Sequence, residues 1–198
     1  MVGIWNINSV RSKFEDEITL NWLLMHDIVV LVEIMISKLP HVPGFVPIIA
    51  KTVNSRRGGV AVLVKSCLYP DLCHLDLSVY DQIWFSFDSM PGVRFCGAYI
   101  TPSTSPYFRE SDIANLQAKT SDQNMKYVIA GDFNARVGEK VNNLVLHNNT
   151  YAYSTPVDSV LNDNGKKLLA VCKDSNLVII NNLVAQPLRF PGAMTFRK

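Results

Sequence analysis

The chain has 198 residues, 48% of them hydrophobic and 18% charged, which excludes the charge-rich composition of a disordered protein and predicts a single packed domain over residues 1–198. Its formal net charge of +2 neither requires nor excludes a polyanionic partner such as nucleic acid. The four cysteines follow no metal-ligand or disulfide spacing, so we expect buried free thiols and no zinc site.

The start of the chain predicts a strand, a helix and a second strand. Residues 3–7 form the first strand, and the helix is predicted from apolar residues that recur every three or four positions: Phe14, Ile18, Trp22 and Met25. The β-branched run 28–32 predicts a strand buried on both faces, with Glu33 at its carboxyl end. That run is too short to span a membrane and no signal peptide is visible, so we expect an intracellular protein without a membrane partner.

The middle of the chain is predicted to be rich in β-structure. A proline-rich loop that includes Pro47 leads into three apolar runs, at residues 60–64, 83–87 and 93–100. Turn-forming residues at 81–82 and 91–92 separate these runs. We therefore predict that the three runs form one antiparallel meander.

Helices and strands alternate again in the last part of the chain. Four elements are predicted there: a helix over about 108–120, a strand over 126–130, a helix that is capped by Asp163 or Asn164 and runs through 173, and a strand over 177–180. The strand over 126–130 runs directly into Gly131-Asp132-Phe133-Asn134. The polar stretch 141–163 has no clear period, so it is predicted to be a loop.

Alternation at both ends around a central meander predicts an α/β (α+β) fold, a four-layer sandwich of two β-sheets flanked by helices. Polar side chains follow apolar strands at three places, as Asn6, as Glu33, and as Asp132 with Asn134. Each alone is explained by a cap, a strand end or a turn. Together they offer carboxylate and amide oxygens, which suit Mg²⁺ or Mn²⁺ and do not suit zinc.

Five short segments form an ordered set along the chain. They are residues 5–11 (WNINSVR), 32–33 (VE), 56–61 (RRGGVA), 98–102 (AYITP) and 131–136 (GDFNAR). The set resembles the endonuclease/exonuclease/phosphatase family, and the GDFNAR segment matches a signature of that family outright. Because the five motifs occur in the family's order and cover nearly the whole chain, chance is a poor explanation for them.

A further segment resembles one branch of that family, the endonuclease domains of non-LTR retrotransposons. Residues 164–169 (NGKKLL), Cys172 and residues 176–181 (NLVIIN) are similar to a helix and strand of those domains, and Thr195 with Phe196 resembles a pair that precedes their final catalytic segment. The resemblance implies hydrolysis of phosphodiester bonds in nucleic acid.

The resemblance also implies roles for individual residues. Glu33, with help from Asn6, would hold Mg²⁺ or Mn²⁺ as the cofactor. Asp132 would orient or deprotonate the attacking water, and Asn134 and Tyr99 would hold the scissile phosphate.

Partners and location follow from the same resemblance. Asn8 and Thr195 are implied to bind the substrate, which is expected to be DNA. We expect a monomer, and the retroelement analogy alone implies a nuclear location.

The family pattern contains two elements without a counterpart in this sequence, an aspartate in a late strand and a closing Asp–His pair. We therefore expect a domain that is incomplete at its C-terminus, lacks its last strands and has no catalytic Asp–His pair. None of the histidines is a substitute, since His26 lies at a helix–strand corner and His41, His74 and His147 fall in predicted loops. Val32, where the family has glutamine, removes a polar neighbour of Glu33.

Two other functions remain open at this point. One is a relic that retains the fold and binds nucleic acid without cleaving it, with binding that weakens as salt rises. The other is a phosphatase of the same family acting on a small phosphorylated or lipid substrate, which the retroelement-like segment 164–181 argues against.

Overall fold

The computed structural model describes residues 1–10, 13–52, 58–138, 159–180 and, for the backbone, residues 144–145, 151–154 and 183–185. The chain divides into two compact units, residues 1–134 and residues 135–198. The single domain over residues 1–198 therefore stays a prediction.

The first unit is built from strands that form two sheets, with helices between some of them. In chain order its elements are β1 (Val2–Asn6), α1 (Glu17–Leu24), β2 (Ile28–Val32), β3 (Phe45–Ile49), β4 (Val60–Lys65), β5 (Leu72–Asp76), β6 (Gln82–Phe87), β7 (Val93–Tyr99), α2 (Ser111–Lys119) and β8 (Lys126–Asp132). Short 3-10 turns precede α1 and β5, at Lys13–Glu15 and Tyr69–Asp71.

The first sheet has the strand order β1-β2-β4-β3. β1 and β2 are parallel, and the other two pairs are antiparallel. All five residues of β2 are buried, as its unbroken β-branched run predicted. Pro47 lies in β3 and not in the predicted loop, and it is tolerated there because β3 is an edge strand.

The second sheet has the strand order β5-β6-β7-β8, with β7 and β8 parallel. The predicted meander is correct for β6 and β7 but wrong for β4, which pairs with β2 and β3 in the other sheet. Its place in the meander is taken by β5, a strand that the sequence pattern did not reveal.

The two sheets pack face to face over the main hydrophobic core. Side chains such as Val30 and Val62 from the first sheet meet Phe85 and Phe95 from the second. Phe85 and Phe95 stack with ring centroids 5.5 Å apart, and both rings are buried. This core holds the ends of β2 and β8 at one edge of the sandwich.

Helices cover the outer faces of both sheets in the first unit. α1 contributes Leu23 to a second core with Val29 and Leu31 of β2. The predicted apolar face of this helix is wrong in part, since Ile18 is 79% exposed and Met25 is 64% exposed.

α2 lies on the second sheet, where its Asp112 carbonyl oxygen accepts a 2.8 Å hydrogen bond from Gln82 Nε2 at the start of β6. The first unit is thus a helix–sheet–sheet–helix sandwich, and the predicted α/β fold class is confirmed.

The second unit contains β9 (Leu144–Val145), β10 (Tyr151–Ser154), α3 (Asp163–Asp174) and β11 (Leu183–Ala185). The three strands form an antiparallel sheet, so the prediction of an unbroken loop over 141–163 is wrong. α3 is capped by the preceding residue Asn162, whose Oδ1 accepts a 2.8 Å hydrogen bond from Gly165 N.

Residues 177–180 do not form the predicted strand. The chain leaves α3 through the left-handed Asn176 (φ 51°), and Leu177 N donates a 2.8 Å hydrogen bond to the Cys172 carbonyl. Ile180 is then 70% exposed, so the apolar run that suggested a strand is not used as a buried one.

Two further expectations concern the whole chain. Cys67, Cys73, Cys96 and Cys172 are free thiols, as expected, but only Cys96 is buried and Cys67 is exposed. In the part of the chain that is described, no helix is both long enough and apolar enough to cross a membrane.

Candidate active site

Glu33 lies at the point where the chain leaves the buried strand β2. Its φ of 56° is left-handed, an uncommon conformation for a residue with a side chain, and it turns the chain out of the sheet. The Glu33 carbonyl accepts a 2.8 Å hydrogen bond from Ser9 N, which ties this turn to the segment after β1. The half-buried carboxylate remains at the sheet edge, as the sequence predicted.

Asn6 ends the neighbouring strand β1 at the same edge. The parallel register pairs Asn6 with Val32, so the amide lies next to the turn that carries Glu33. Asn6 Nδ2 donates a 3.1 Å hydrogen bond to Asp132 Oδ2, which belongs to the other sheet. Asn6 therefore joins the carboxyl ends of the two sheets.

The parallel pairing of β7 and β8 determines where Asp132 and Asn134 lie. The register places Asp132 beside Tyr99, and Ile100 N donates a 2.8 Å hydrogen bond to the Asp132 carbonyl. Asn134 N donates to Asp132 Oδ1 at 2.9 Å, and Asn134 Nδ2 donates to the Ile100 carbonyl at 2.9 Å. With φ at 45°, Asn134 is also left-handed, which asparagine tolerates well.

Gly131 allows the close approach that this register requires. Its φ is 154°, and a Cβ atom at this position would overlap the carbonyl oxygen of Ala98 on β7. Because the obstacle is backbone, no rotamer change can relieve it. Only glycine fits here, so the first residue of the GDFNAR segment has a structural reason.

Tyr99 lies between the two acids at this edge. Its hydroxyl donates a long, 3.4 Å hydrogen bond to Glu33 Oε1. Burial of the ring, followed by the negative charges of Glu33 and Asp132, raises the pKa of the Tyr99 hydroxyl. The phenol therefore stays neutral at physiological pH and keeps its proton to donate.

Five of the predicted site residues meet at this one edge of the first unit: Asn6, Glu33, Tyr99, Asp132 and Asn134. Asn8 is exposed and is tied to the group through its backbone, since Asn8 N donates a 3.2 Å hydrogen bond to Asn6 Oδ1. Thr195 lies outside the described residues. The roles of all seven residues remain predictions.

In the described part of the chain, the acids at this edge are held by neutral donors. Among the described residues, neither Glu33 nor Asp132 forms an ion pair. The described ranges contain no group of three or more His, Cys, Asp or Glu side chains placed to hold a metal ion. The described side chains offer carboxylate and amide oxygens and the Tyr99 hydroxyl, a set of oxygen donors that fits Mg²⁺ or Mn²⁺ with water completing the coordination.

The described histidines lie elsewhere in the fold. Buried His26 sits under Trp22, with its Nδ1 2.9 Å from the Trp22 carbonyl oxygen, on the helix-covered face of the first sheet. His74 lies in β5, not in a loop as predicted, and β5 is the opposite edge of the second sheet from β8. His41 is exposed, and His147 lies outside the described residues.

Sequence reasoning missed a second polar group near Tyr99, formed by Arg109, Asp81 and Asp112. Arg109 Nη2 donates to Asp81 Oδ2 at 2.8 Å, and Arg109 Nε donates to both Asp112 oxygens at 3.0 and 3.1 Å. The i,i+3 spacing of Arg109 and Asp112 was a possible signal for one of the two pairs. The pairing with Asp81 joins residues 28 positions apart, so the sequence pattern holds no sign of it.

Comparison with known proteins assigns the chain to a protein family. Residues 3–163 match the model of the Endonuclease/Exonuclease/phosphatase family. No match is found among curated proteins.

Similar solved structures include AP endonuclease LMAP from Leishmania major (12% identity, TM-score 0.62, covering 88% of this chain and 66% of that chain). The endonuclease domain of TRAS1, a telomere-specific non-LTR retrotransposon, has 13% identity and a TM-score of 0.53, with 88% of this chain and 71% of that chain covered. The 3'-5' exonuclease NExo from Neisseria meningitidis has 23% identity and a TM-score of 0.52, with 70% and 59% covered.

At these identities the likeness shows the fold. The chain spans 58 to 66% of the length of the first three similar structures. The family model covers most of the chain, and the matched range 3–163 includes the strand ends at Asn6, Glu33 and Asp132. The chain belongs to the endonuclease/exonuclease/phosphatase family.

Proposed function

We propose that this chain is a metal-dependent endonuclease of the retroelement type, which hydrolyses phosphodiester bonds in DNA at the edge defined by Asn6, Glu33, Tyr99, Asp132 and Asn134. The observation that carries the proposal is the 3.1 Å hydrogen bond from Asn6 Nδ2 to Asp132 Oδ2. It joins the ends of two separate sheets, so that Glu33 from the first sheet and Asp132 from the second belong to one site.

Glu33 and Asn6 are the residues that would hold Mg²⁺ or Mn²⁺. A divalent ion bound there supplies Lewis-acid polarisation of a phosphodiester oxygen. Glu33 Oε1 accepts a hydrogen bond from the Tyr99 hydroxyl, and Asn6 Oδ1 accepts one from Asn8 N, so both side-chain oxygens are restricted before any ion binds. A donor set held in this way loses little conformational entropy on binding.

Asp132 is the residue proposed to orient or deprotonate the attacking water. Asn6 Nδ2 and Asn134 N each donate to one of its carboxylate oxygens, which fixes the orientation of the group. Each oxygen can accept a second hydrogen bond, so capacity remains for a water molecule. An acceptor with a fixed direction is what a positioned general base requires.

Tyr99 and Asn134 are proposed to hold the scissile phosphate. The raised pKa of the Tyr99 hydroxyl keeps this group a neutral donor, and its present acceptor is only a long contact to Glu33. Asn134 Nδ2 is anchored on the Ile100 carbonyl, which orients the amide beside Asp132. Donors that are oriented in advance stabilise charge that develops on phosphate oxygens.

Support for the retroelement branch comes from the segment that begins at residue 164. Its first part forms the predicted helix, α3, with Asn164 and Gly165 in the first turn, whereas residues 177–180 do not form the predicted strand. The fold is similar to that of the endonuclease domain of TRAS1, a telomere-specific non-LTR retrotransposon. Nuclear location, a monomeric state and substrate contacts by Asn8 and Thr195 belong to the same proposal.

Nicking of supercoiled plasmid tests the function. The parent chain is incubated with Mg²⁺ or Mn²⁺ and with EDTA, beside Glu33→Gln and Asp132→Asn. Glu17→Gln, an exposed acid in the first turn of α1, is the matched control. We expect metal-dependent nicking by the parent and the control, and a loss of at least about a hundredfold in both site variants.

Other outcomes point to the alternatives. A folded parent that fails to nick but binds DNA with an affinity that falls as salt rises contradicts the nuclease and supports a binding relic. Release of phosphate from a small phosphorylated substrate without plasmid nicking supports a phosphatase.

A further inference from the structure

Arg109 and the two acids that it contacts form a buried ionic cluster, here called the Arg109 clamp and made of Arg109, Asp81 and Asp112. Asp81 precedes β6, while Arg109 and Asp112 flank the start of α2. The guanidinium reaches both acids at 2.8 to 3.1 Å through different nitrogens. One side chain therefore links the second sheet to the helix that covers it.

Charge and burial make Arg109 the indispensable member of the clamp. Asp81 is 5% exposed and Asp112 is 2% exposed, so two negative charges share one positive charge away from water. Burial raises the pKa of both carboxyls, and the guanidinium acts in the opposite direction. Removing Arg109 leaves two buried acids that no other described ion pair compensates.

The clamp is one backbone hydrogen bond away from the candidate active site. Asp81 has a left-handed φ of 55°, and its carbonyl accepts a 2.9 Å hydrogen bond from Tyr99 N. Asp81 N donates to the Lys51 carbonyl at 2.8 Å, which holds the same turn from its other side. The Tyr99 hydroxyl in turn contacts Glu33.

We propose that Arg109 is a positioning residue for Tyr99: by holding Asp81 in its left-handed turn, it sets the direction in which the Tyr99 hydroxyl meets Glu33 and the substrate. This inference rests on the proposed function for its catalytic meaning. Its structural content, the dependence of Tyr99 on Arg109, can be measured without catalysis.

Arginine is specifically required in this role. Its planar fork presents nitrogens to two acids at once, and the guanidinium also lies over the Tyr80 ring, 5.3 Å from the centroid. A lysine keeps the positive charge but offers one ammonium on a flexible stem, which cannot reproduce both contacts. Arg109→Lys therefore separates the geometry from the charge.

Arg94 is a matched control for this substitution. It lies in β7 of the same sheet, its side chain is 27% exposed against 22% for Arg109, and its guanidinium lies over the Trp84 ring. Its ion pair is with Asp76 in β5, at 3.9 Å, and not with an acid of the clamp. Arg94→Lys thus makes the same chemical change outside the clamp.

The experiment uses ¹⁹F NMR of the full chain labelled with 3-fluorotyrosine. The sequence has seven tyrosines, and the Tyr99 resonance is assigned by its loss in Tyr99→Phe. We expect Arg109→Lys to shift the Tyr99 resonance and Arg94→Lys to leave it in place. If Arg109→Lys does not fold, Asp81→Asn takes its place, and the same shift is expected. An unshifted Tyr99 resonance in a folded clamp variant overturns the inference.

Plasmid nicking by the same variants separates this inference from the proposed function. We expect kcat to fall about tenfold in Arg109→Lys with KM nearly unchanged, because a misdirected donor affects the transition state more than binding. A Tyr99 shift in a chain that never nicks supports the positioning and counts against the proposed function. Nicking with an unshifted Tyr99 resonance overturns the positioning and leaves the function intact.

Discussion

Two groups of acids in the first unit are held in opposite ways. Glu33 and Asp132 at the candidate active site contact amides and a phenol, and neither forms an ion pair among the described residues. Asp81 and Asp112 are more deeply buried and share Arg109. The site acids are held by neutral donors, namely the Asn6 amide, the Tyr99 hydroxyl and the Asn134 backbone N–H, whereas the clamp acids are held by a side-chain cation.

This difference distinguishes acids that stabilise the fold from acids that are available to bind a cation. When a buried carboxylate pairs with an arginine, its negative charge is already compensated, so it attracts a cation from solution only weakly. A half-buried carboxylate oriented by amides keeps its charge available, which is the condition for binding a divalent cation. Four substitutions test this contrast.

The largest effect is expected where the site depends on backbone geometry. Gly131→Ala would place a Cβ against the Ala98 carbonyl oxygen, so we expect a loss of about 4 kcal/mol in unfolding free energy, or failure to fold. Gly92→Ala is the matched control: its φ is 79° but nothing lies within 4 Å of an added Cβ, so about 1 kcal/mol of strain is expected. Urea unfolding measures both, and equal losses would contradict the role of the close approach.

Replacing Arg109 in the clamp is expected to destabilise the fold because the charges of two acids are then uncompensated. Arg109→Met should lower the unfolding free energy by about 3 kcal/mol at pH 8, because two buried acids lose their cation. A carboxyl whose folded pKa is raised destabilises the fold only when ionised, so the loss should shrink as pH falls toward 5. Arg94→Met should lose less at both pH values, and a pH-independent loss in Arg109→Met would contradict the charge explanation.

The site acids should behave in the opposite way to the clamp acids. We expect Glu33→Gln to change the unfolding free energy by less than about 0.5 kcal/mol without metal, since Glu33 forms no ion pair with a described residue. With Mg²⁺ at about ten times its Kd, the parent should gain about 1.4 kcal/mol and Glu33→Gln should gain little. Thermal unfolding with and without Mg²⁺ measures the difference, and an equal gain in both chains would place the ion elsewhere.

The smallest effect is expected at Asp76, an acid that is paired but less buried. Lys119 Nζ contacts its carboxylate at 2.5 Å, and this hydrogen bond, with a second from Ser78, holds the pKa of Asp76 well below its usual range. A lowered folded pKa gives stability that is present above about pH 4 and is lost as pH falls through the folded pKa. Asp76→Asn should lose about 1 kcal/mol at pH 7 and clearly less at pH 2, because the stabilisation declines once the unfolded chain is protonated. An equal loss at the two pH values would show that packing, and not charge, is responsible.

Much of the fold could be predicted because the relevant signals are local. The β-branched run of β2 is buried throughout, so its strand and the Glu33 that follows it were evident. The apolar residues of β8 predicted a strand and run directly into Asp132, although Val128 is 39% exposed. The faces of α1 were not predicted correctly. Its eight residues are too few for periodicity to outweigh the contacts made by neighbouring elements.

Sheet membership was beyond local signals. The sequence predicted that β4 pairs with β6 in one meander, but β4 pairs with β2 and β3. Which strands pair is determined by the packing of complete sheets. β3 was hidden by Pro47, whose missing N–H is acceptable only because the strand lies at an edge.

The sequence by itself determined the family, the layered α/β architecture and the identity of the residues at the strand ends. The order of the motifs and the chemistry of their side chains follow from the sequence alone, so they can be recognised without tertiary information. Only the tertiary structure decided that Asn6 would reach Asp132 across two sheets, that Gly131 must pass the Ala98 carbonyl, and that Arg109 would hold the turn behind Tyr99. These contacts join residues far apart in sequence, and such distances are set by the packing of the whole sandwich.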